Sequence, residues 1–304
     1  MDTSSSPQSL LSEPTVKSKQ AIGANSRPLR FLIVTLVVAI YIFLGFALHF
    51  TGAQYQLLGL PILLLFQVGI HRQPLRTLWV RAGSPLSLDG WFFVLWGLLA
   101  LFPAYAAVRA AMDLQFANAA EYGLAIVGAF GMAYALRAMR ATTWRSLGLC
   151  ILTVGIIGLL PQFLSLLLPH VLHLHIARQG TTPPPFLQSL TITIQWVLMA
   201  PLGFMVEEVF FRGALDTYLH AGEQGTGWLS AVVVSALWGL WHLPGQVIAA
   251  GQLLPTVIGL LAAQILVGVP LSLWWRKSGN MVVNDTAHAL LDAIRNGLAG
   301  VGPF

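Results

Sequence analysis

Two adjacent glutamates, Glu207 and Glu208, interrupt an apolar stretch of the chain, and Arg212 follows four residues after the second. Ionisable groups in such apolar surroundings are costly, so they usually line an internal, hydrated site and act there. On a helix, Glu208 and Arg212 share one face, and the guanidinium keeps the carboxylate ionised. An ion pair that only fixes helix packing is the alternative for these two residues. Glu207 lies about 100° around the helix, so we expect Glu207 to carry the chemistry.

Two further groups of polar residues follow in the same part of the chain. Trp238 and His242 are four residues apart and share a helix face. Asn284, His288 and Asp292 recur every four residues and form one polar stripe on a mostly apolar segment. A lone histidine on an apolar helix is usually a packing residue. Three polar residues on one stripe are harder to explain by packing.

Two carboxylates, two histidines and a further Asp or Asn in one hydrated cavity suit the activation of water for hydrolysis. A glutamate, or a metal held by Glu and His, can take a proton from water while a second histidine stabilises the oxyanion. The sequence contains no His-Glu-x-x-His zinc motif. No Ser or Cys stands out as a nucleophile.

The composition indicates which kind of element must position these residues. Hydrophobic residues make up 56% of the chain and charged residues 9%, whereas charged residues make up about 25% of an ordinary soluble domain. We therefore predict an all-α, polytopic integral membrane bundle. Apolar runs of ~20 residues, enough to cross ~30 Å of hydrocarbon, predict eight or nine transmembrane helices. They lie at 31–49, 55–71, 90–108, 120–138, 147–169, 186–206, 228–248, 253–275 and 281–300.

Basic residues cluster after the second, fourth and eighth of these segments. They are Arg72, Arg76 and Arg81, then Arg137, Arg140 and Arg145, then Arg276 and Lys277. Cytoplasmic loops carry such an excess, so the amino terminus is predicted to be cytoplasmic in a multi-pass protein of the plasma membrane. Because the net charge of +5 is explained by these short loops, the lipid bilayer is an expected partner and nucleic acid is not.

The chain divides into three predicted parts. Residues 1–29, rich in Ser, Pro and Gln, predict a disordered cytoplasmic arm. Residues 30–180 form amino-terminal transmembrane helices without concentrated chemistry. Residues 186–304 form the core that carries the polar groups.

Depth in the membrane tests whether the polar groups can meet. Counting ~1.5 Å per residue from the predicted cytoplasmic helix ends places Glu207 at roughly 17 Å, His242 at roughly 21 Å and His288 at roughly 14 Å. These levels agree within about one helical turn. Asp216, Glu223 and Asp285 fall near the cytoplasmic ends, where we expect them to be solvated. His170, His173 and His175 are a candidate metal group at an outer helix end, although neutral interfacial histidines are the more common case.

The polar motifs resemble those of the CAAX prenyl protease and bacteriocin-processing family of intramembrane proteases. That family carries Glu-Glu-x-x-x-Arg, Phe-x-x-x-His and His-x-x-x-Asn/Asp in this order. Here they read Glu207-Glu208-x-x-x-Arg212, Trp238-x-x-x-His242 and His288-x-x-x-Asp292. The resemblance covers residues 200–297, about a third of the chain.

The resemblance implies an intramembrane endopeptidase that acts on a membrane-associated or lipid-modified, CAAX-like peptide or protein. Glu207 and His242 would activate water, and His288 with Asp292 would stabilise the oxyanion or help bind a metal. Glu208 and Arg212 would support the site. A divalent metal, commonly zinc in this family, would be held by Glu207, His242 and His288. A glutamate mechanism without metal is the alternative.

Two positions depart from the family pattern. Trp238 replaces the usual Phe, which keeps an aromatic wall and is expected to change only the shape of the pocket. Asp292 replaces Asn and can donate a hydrogen bond only when it is protonated. Asp292 could therefore orient His288 or ligate a cation, and Asn284 one turn earlier could supply the amide.

Two other functional classes compete with the protease. One is a non-catalytic relative that serves as a bacteriocin-immunity or membrane scaffold protein, in which the same polar cluster is structural. The other is a transporter that uses the acids as a proton or cation relay. Retention of nearly every motif position favours the enzyme.

Overall fold

A computed structural model describes residues 26–81, 88–171, 185–221, 227–246, 248 and 251–302, without the side chains of 161–171. The described residues are helical and contain no β-strand beyond an isolated bridge between Val80 and Asn280. The predicted all-α membrane bundle is confirmed. The predicted arm lies outside the described residues up to position 25, and the first helix begins at Arg27. Of the candidate histidine group, His173 and His175 also lie outside them, and His170 is among the residues whose side chains are not described.

Ten main helices build the described part of the protein. In chain order they are α1 (Arg27–Ala47), α2 (Gly52–His71), α3 (Gly90–Met112), α4 (Phe116–Arg137), α5 (Ala141–Val171), α6 (Phe186–Leu198), α7 (Ala200–His220), α8 (Trp228–Trp241), α9 (Leu253–Ser278) and α10 (Met281–Ala299).

The predicted count of eight or nine transmembrane helices is not confirmed. Within the described residues, α1, α2, α3, α4, α5 and α9 are long and apolar enough to span a membrane. The pair α6 and α7, bent by 44°, makes a seventh if it is one span. The predicted segment 228–248 stops as a helix at Trp241 after 14 residues, because Pro244 can neither donate a backbone hydrogen bond nor fit into a continuing turn. Helix α10 has 19 residues but carries three charged side chains.

Helix α7 lies at the centre of the bundle. Within its segment Phe204–Asp216, every residue except Glu207 is buried. This segment is a π-helix, whose wider turns with i→i+5 hydrogen bonds are rare and often occur at functional sites. Helices α1, α3 and α5 expose large apolar side chains on their outer faces, including Leu32, Trp91 and Leu152. This exposure is expected of a bundle surrounded by lipid.

Two polar anchors fix the helices that carry the site. Asn280 starts α10, since its Oδ1 accepts from the Val282 amide at 3.0 Å and its Nδ2 donates to the Ala135 carbonyl of α4 at 2.7 Å. Asp216, at the end of the π-helical segment, accepts hydrogen bonds from Arg276 Nε at 2.9 Å and Nη2 at 2.5 Å. Asp216 is fully buried, so the expectation that it is solvated is wrong. Glu223 lies outside the described residues.

Candidate active site

The two adjacent glutamates reach two different helices. Glu207 points to α8, where it meets Trp238 and His242, and Glu208 points to α10, where it meets His288. Glu207 keeps 19% of its side chain exposed, whereas Glu208 is completely buried. The central position of α7 therefore separates an accessible acid from a buried one.

Glu207 is held at one oxygen by α8. The indole Nε1–H of Trp238 donates to Glu207 Oε2 at 2.8 Å. His242 Nε2 lies 3.8 Å from the same oxygen, and 25% of its side chain is exposed. The other ring nitrogen, Nδ1, lies 2.8 Å from the carbonyl of Trp238. A carbonyl only accepts, so Nδ1 carries the hydrogen and Nε2 of a neutral ring presents a lone pair towards Glu207.

This pair is arranged to hold a water molecule. A separation of 3.8 Å between His242 Nε2 and Glu207 Oε2 is too long for a direct hydrogen bond. One water can lie ~2.8 Å from each atom, which is the usual hydrogen-bond distance. Such a water faces two acceptors, and either of them can take its proton.

Glu208 begins a chain of alternating charges. Its Oε1 lies 3.4 Å from Arg212 Nη1 and 3.0 Å from His288 Nδ1. His288 Nε2 lies 3.4 Å from Asp292 Oδ2, and Asp292 Oδ1 lies 3.0 Å from Arg295 Nη2. A neutral imidazole has one N–H, but here both ring nitrogens face carboxylates. The arrangement therefore favours a positively charged His288 ring.

Trp238 connects the two halves of the site. The Arg212 guanidinium carbon lies 4.0 Å from the centroid of the Trp238 ring, a cation–π contact. The His288 ring packs edge-on against the same indole at 5.1 Å. Trp238 also donates to Glu207, a hydrogen bond that a Phe cannot make. The expectation that Trp238 changes only the shape of the pocket is therefore wrong.

Two cavities give access to the polar groups. The first, of about 310 Å³, is lined by Glu207, His242, His288 and Asp292 together with parts of α2, α4, α6 and α7. The second, of about 230 Å³, is lined by the same four residues and by Trp238 and parts of α5 and α9. The structure therefore brings these predicted residues around shared space. Arg295 lies at both cavities and is about half exposed.

Asn284 does not join this group. It is completely buried, and its Nδ2 donates to the backbone carbonyl of Leu271 on α9. Neither of the two cavities is lined by Asn284. The side chain stabilises the packing of α10 against α9, so the geometry does not support the amide role that was considered for it.

Two residues of the first cavity were missed from the sequence. Asp285 was expected to be solvated, but it is 1% exposed and lines the first cavity, so that expectation is wrong. Glu121, on α4, lines the same cavity. The available signal was a single carboxylate inside an apolar transmembrane segment, but no motif accompanied it.

The geometry does not fit the predicted metal site. Among the described residues, no group of three or more His, Cys, Asp or Glu side chains is arranged to hold a metal ion. Both ring nitrogens of His288 face carboxylates rather than a shared point with Glu207 and His242. The divalent metal stays a prediction, and no step of the chemistry below is derived through it.

Comparison with known proteins identifies part of the chain. Residues 189–294 match the family described as "Type II CAAX prenyl endopeptidase Rce1-like". This match confirms the resemblance predicted from the motifs, and it includes every predicted site residue from Glu207 to Asp292. Helices α1 to α5 lie outside it. No curated protein and no solved structure matches the chain at a significant level.

Proposed function

We propose that this Rce1-like chain is an intramembrane endopeptidase that cleaves a membrane-associated or lipid-modified, CAAX-like substrate. The observation that carries the proposal is the position of Glu207 Oε2 and His242 Nε2, 3.8 Å apart and both open to the same cavities. The family match supports peptide hydrolysis, and a water between an acid and an imidazole supplies the nucleophile.

The proposed reaction runs through Glu207 as general base. Glu207 takes a proton from the water while His242 Nε2 orients it, and the resulting hydroxide attacks the carbonyl carbon of the scissile peptide. A tetrahedral intermediate forms, and its oxygen carries the negative charge. Glu207 then gives its proton to the leaving nitrogen, and the carbon–nitrogen bond breaks. A proton held and returned by one carboxyl group balances the reaction.

The oxyanion is stabilised by positive charge from α10. His288 lines both cavities, and its two carboxylate neighbours hold the ring and favour its charged form. Asp292 forms an ion pair with Arg295 and faces His288, so we assign it an orienting role rather than the donor role of an amide. Glu208 and Arg212 balance charge beneath the site, away from the cavities.

The amino terminus is proposed to be cytoplasmic, in the plasma membrane. The helix ends at Arg30, Arg72, Arg137 and Arg276 carry most of the described basic residues, and the opposite ends carry Arg109 and Arg295. The positive-inside rule then places the basic ends in the cytoplasm.

Cleavage of a membrane-embedded fluorogenic peptide by the purified protein in lipid nanodiscs tests the proposed function. Glu207→Gln and His242→Ala should each lower kcat/KM by about 10²- to 10⁴-fold, the range for loss of general acid–base catalysis. Asp113→Asn, which removes an exposed acid paired with Arg109, is the matched control and should leave cleavage unchanged.

Two results would contradict the proposal. Equal cleavage by wild type and both site variants would remove the catalytic assignment and favour the non-catalytic alternative. Loss of cleavage on chelation, with recovery on adding zinc, would replace the glutamate mechanism by a metal mechanism.

A further inference from the structure

The first cavity is closed on one side by helices that lie outside the Rce1-like match. Gln56 of α2 and Glu121 of α4 line it, opposite residues of α7 and α10 that belong to the matched segment. The amino-terminal helices therefore contribute directly to the space where substrate would bind.

This wall adds a carboxyl group that no described cation balances. Glu121 forms no ion pair with any residue that the structure describes. The cations near the cavity are engaged elsewhere, since Arg295 pairs with Asp292 and His288 lies between two carboxylates. A partly buried carboxylate without a cation is unfavourable. A positively charged ligand group would neutralise it.

Asp285 supplies a second and independent indication of a ligand. It is 1% exposed, it lines the same cavity, and its Oδ2 has no hydrogen-bond partner in the described part of the chain. Buried polar atoms are nearly always hydrogen-bonded, and one without a partner costs about 1–3 kcal/mol. A hydrogen-bond donor of a ligand in the cavity would supply the partner for Asp285 Oδ2.

The remaining lining suits the stem of a long basic side chain. Met199, Leu202 and Val206 provide apolar surface in the same cavity as the polar groups. Lysine and arginine pack their aliphatic stems along such surface and present the charged head to acids. A cavity of about 310 Å³ has room for one such side chain.

We infer that Glu121 and Asp285 bind a lysine or arginine side chain of the substrate, which makes the first cavity a specificity subsite for a basic residue near the cleaved bond. The inference rests on the proposed peptidase function for its biological meaning. The binding of the basic side chain is measured separately from cleavage.

The test measures peptide binding to the full-length Glu207→Gln protein, in which turnover is removed. Fluorescent membrane peptides carry Lys, Gln or Glu at one position, which is moved stepwise across the cleavage region. At one position, the Lys peptide should bind about tenfold more tightly than the Gln peptide, the lower end for a partly buried charge pair. Adding Glu121→Gln should abolish this difference. Adding Glu121→Lys should reverse it in favour of the Glu peptide.

Asp113→Asn is the matched control, because it removes one negative charge from an exposed ion pair that does not line this cavity. It should leave the preference for Lys unchanged. Thermal unfolding of each variant shows whether the fold is kept. Asp285→Asn should weaken Lys binding as Glu121→Gln does.

The outcomes separate the inference from the proposed function. Equal binding of the three peptides at every position, or a preference that survives Glu121→Lys, would overturn the subsite. Charge-selective binding by a protein whose wild type cleaves none of these peptides would support the subsite and count against the peptidase. Cleavage by the wild-type protein without any charge preference in binding would support the peptidase and count against the subsite.

Discussion

Replacing Trp238 by Phe tests whether the indole N–H, rather than the aromatic ring, supports catalysis. Phe keeps a ring beneath Arg212 but removes the 2.8 Å hydrogen bond to Glu207 Oε2. A hydrogen bond to a charged group contributes about 1.5–3 kcal/mol. Since Glu207 is 19% exposed, water replaces part of this contribution, and we expect the lower end of the range. Because 1.36 kcal/mol corresponds to a factor of ten, Trp238→Phe should lower kcat/KM by about tenfold.

The assay is steady-state cleavage of the fluorogenic membrane peptide, with thermal unfolding measured on the same samples. Trp275→Phe is the matched control, since Trp275 on α9 is also buried, its indole N–H donates to Thr217 Oγ1 at 2.9 Å, and it lines neither cavity. Both substitutions should lower stability, because each removes a buried indole. Trp238→Phe alone should lower kcat/KM.

A double-mutant cycle isolates the contact between Trp238 and Glu207. When Glu207 is already Gln, the further change of Trp238 to Phe should have a smaller effect on the remaining activity, because the charged acceptor is gone. A kcat/KM for folded Trp238→Phe within about twofold of wild type would refute the reasoning. The threshold is well below the tenfold effect expected for a charge-assisted hydrogen bond.

Three further predictions concern packing and topology. Gly268→Ala should lower the free energy of unfolding by about 1–3 kcal/mol, since its Cβ would lie 2.6 Å from Ser235 Oγ; an unchanged or higher melting temperature would contradict this. Asn284→Ala should lower the melting temperature through loss of a buried hydrogen bond worth about 1 kcal/mol and keep cleavage; lost cleavage at unchanged stability would revive its amide role. A cysteine at the exposed position Gln115 should react with an impermeant maleimide added outside the cell, and one at the exposed position Arg140 should react only from the cytoplasmic side. The natural cysteine is buried, so it should add no background labelling. The reverse labelling would invert the proposed topology.

The sequence predicted which residues meet but not how they pair. Spacing and depth placed Glu207, His242 and His288 at one level, and all three line both cavities. His288, however, contacts Glu208 rather than Glu207. Depth along a helix fixes the level of a side chain but not its direction around the axis. The direction was calculated for an α-helix, and the actual segment is a π-helix with wider turns.

The polar stripe predicted for α10 included Asn284, whereas the neighbouring residue Asp285 lines the cavity. In the sequence, Asn284, His288 and Asp292 recur at intervals of four. The cavity is lined instead by Asp285, His288 and Asp292, at intervals of three and four, which follow a helical face more closely than strict fours. Asn284 then points to α9. Which of two neighbouring polar residues faces the cavity depends on how α10 packs against the other helices.

Glu121 shows a different limit of prediction from the sequence. It lies in α4, far along the chain from every motif residue, and it reaches the site only because α4 packs against α7. Its chemistry depends on a cavity that exists once the helices have assembled. Local spacing contains no information about such a contact, and the charge itself was the available signal.

The short helix that reduces the number of spans also explains the position of His242. Fourteen residues of α8 extend ~21 Å, less than the ~30 Å of the hydrocarbon layer, so a helix that starts at one membrane surface and ends at Trp241 stops within this layer. Backbone that leaves a helix at this depth is tolerated where it is buried in protein or lines a hydrated cavity.

His242 supplies hydrogen bonds to backbone carbonyls that the end of α8 would otherwise leave without a donor. Its backbone N–H bonds to the Gly239 carbonyl at 3.2 Å, and its ring Nδ1–H bonds to the Trp238 carbonyl at 2.8 Å. A side chain that caps a terminal carbonyl is a common way to end a helix. Here the same hydrogen bond sets the tautomer and leaves Nε2 towards Glu207. Ending the helix and orienting the imidazole of the proposed catalytic pair are therefore one structural event, so a variant that continues α8 past Pro244 should lose the site even with every polar residue present.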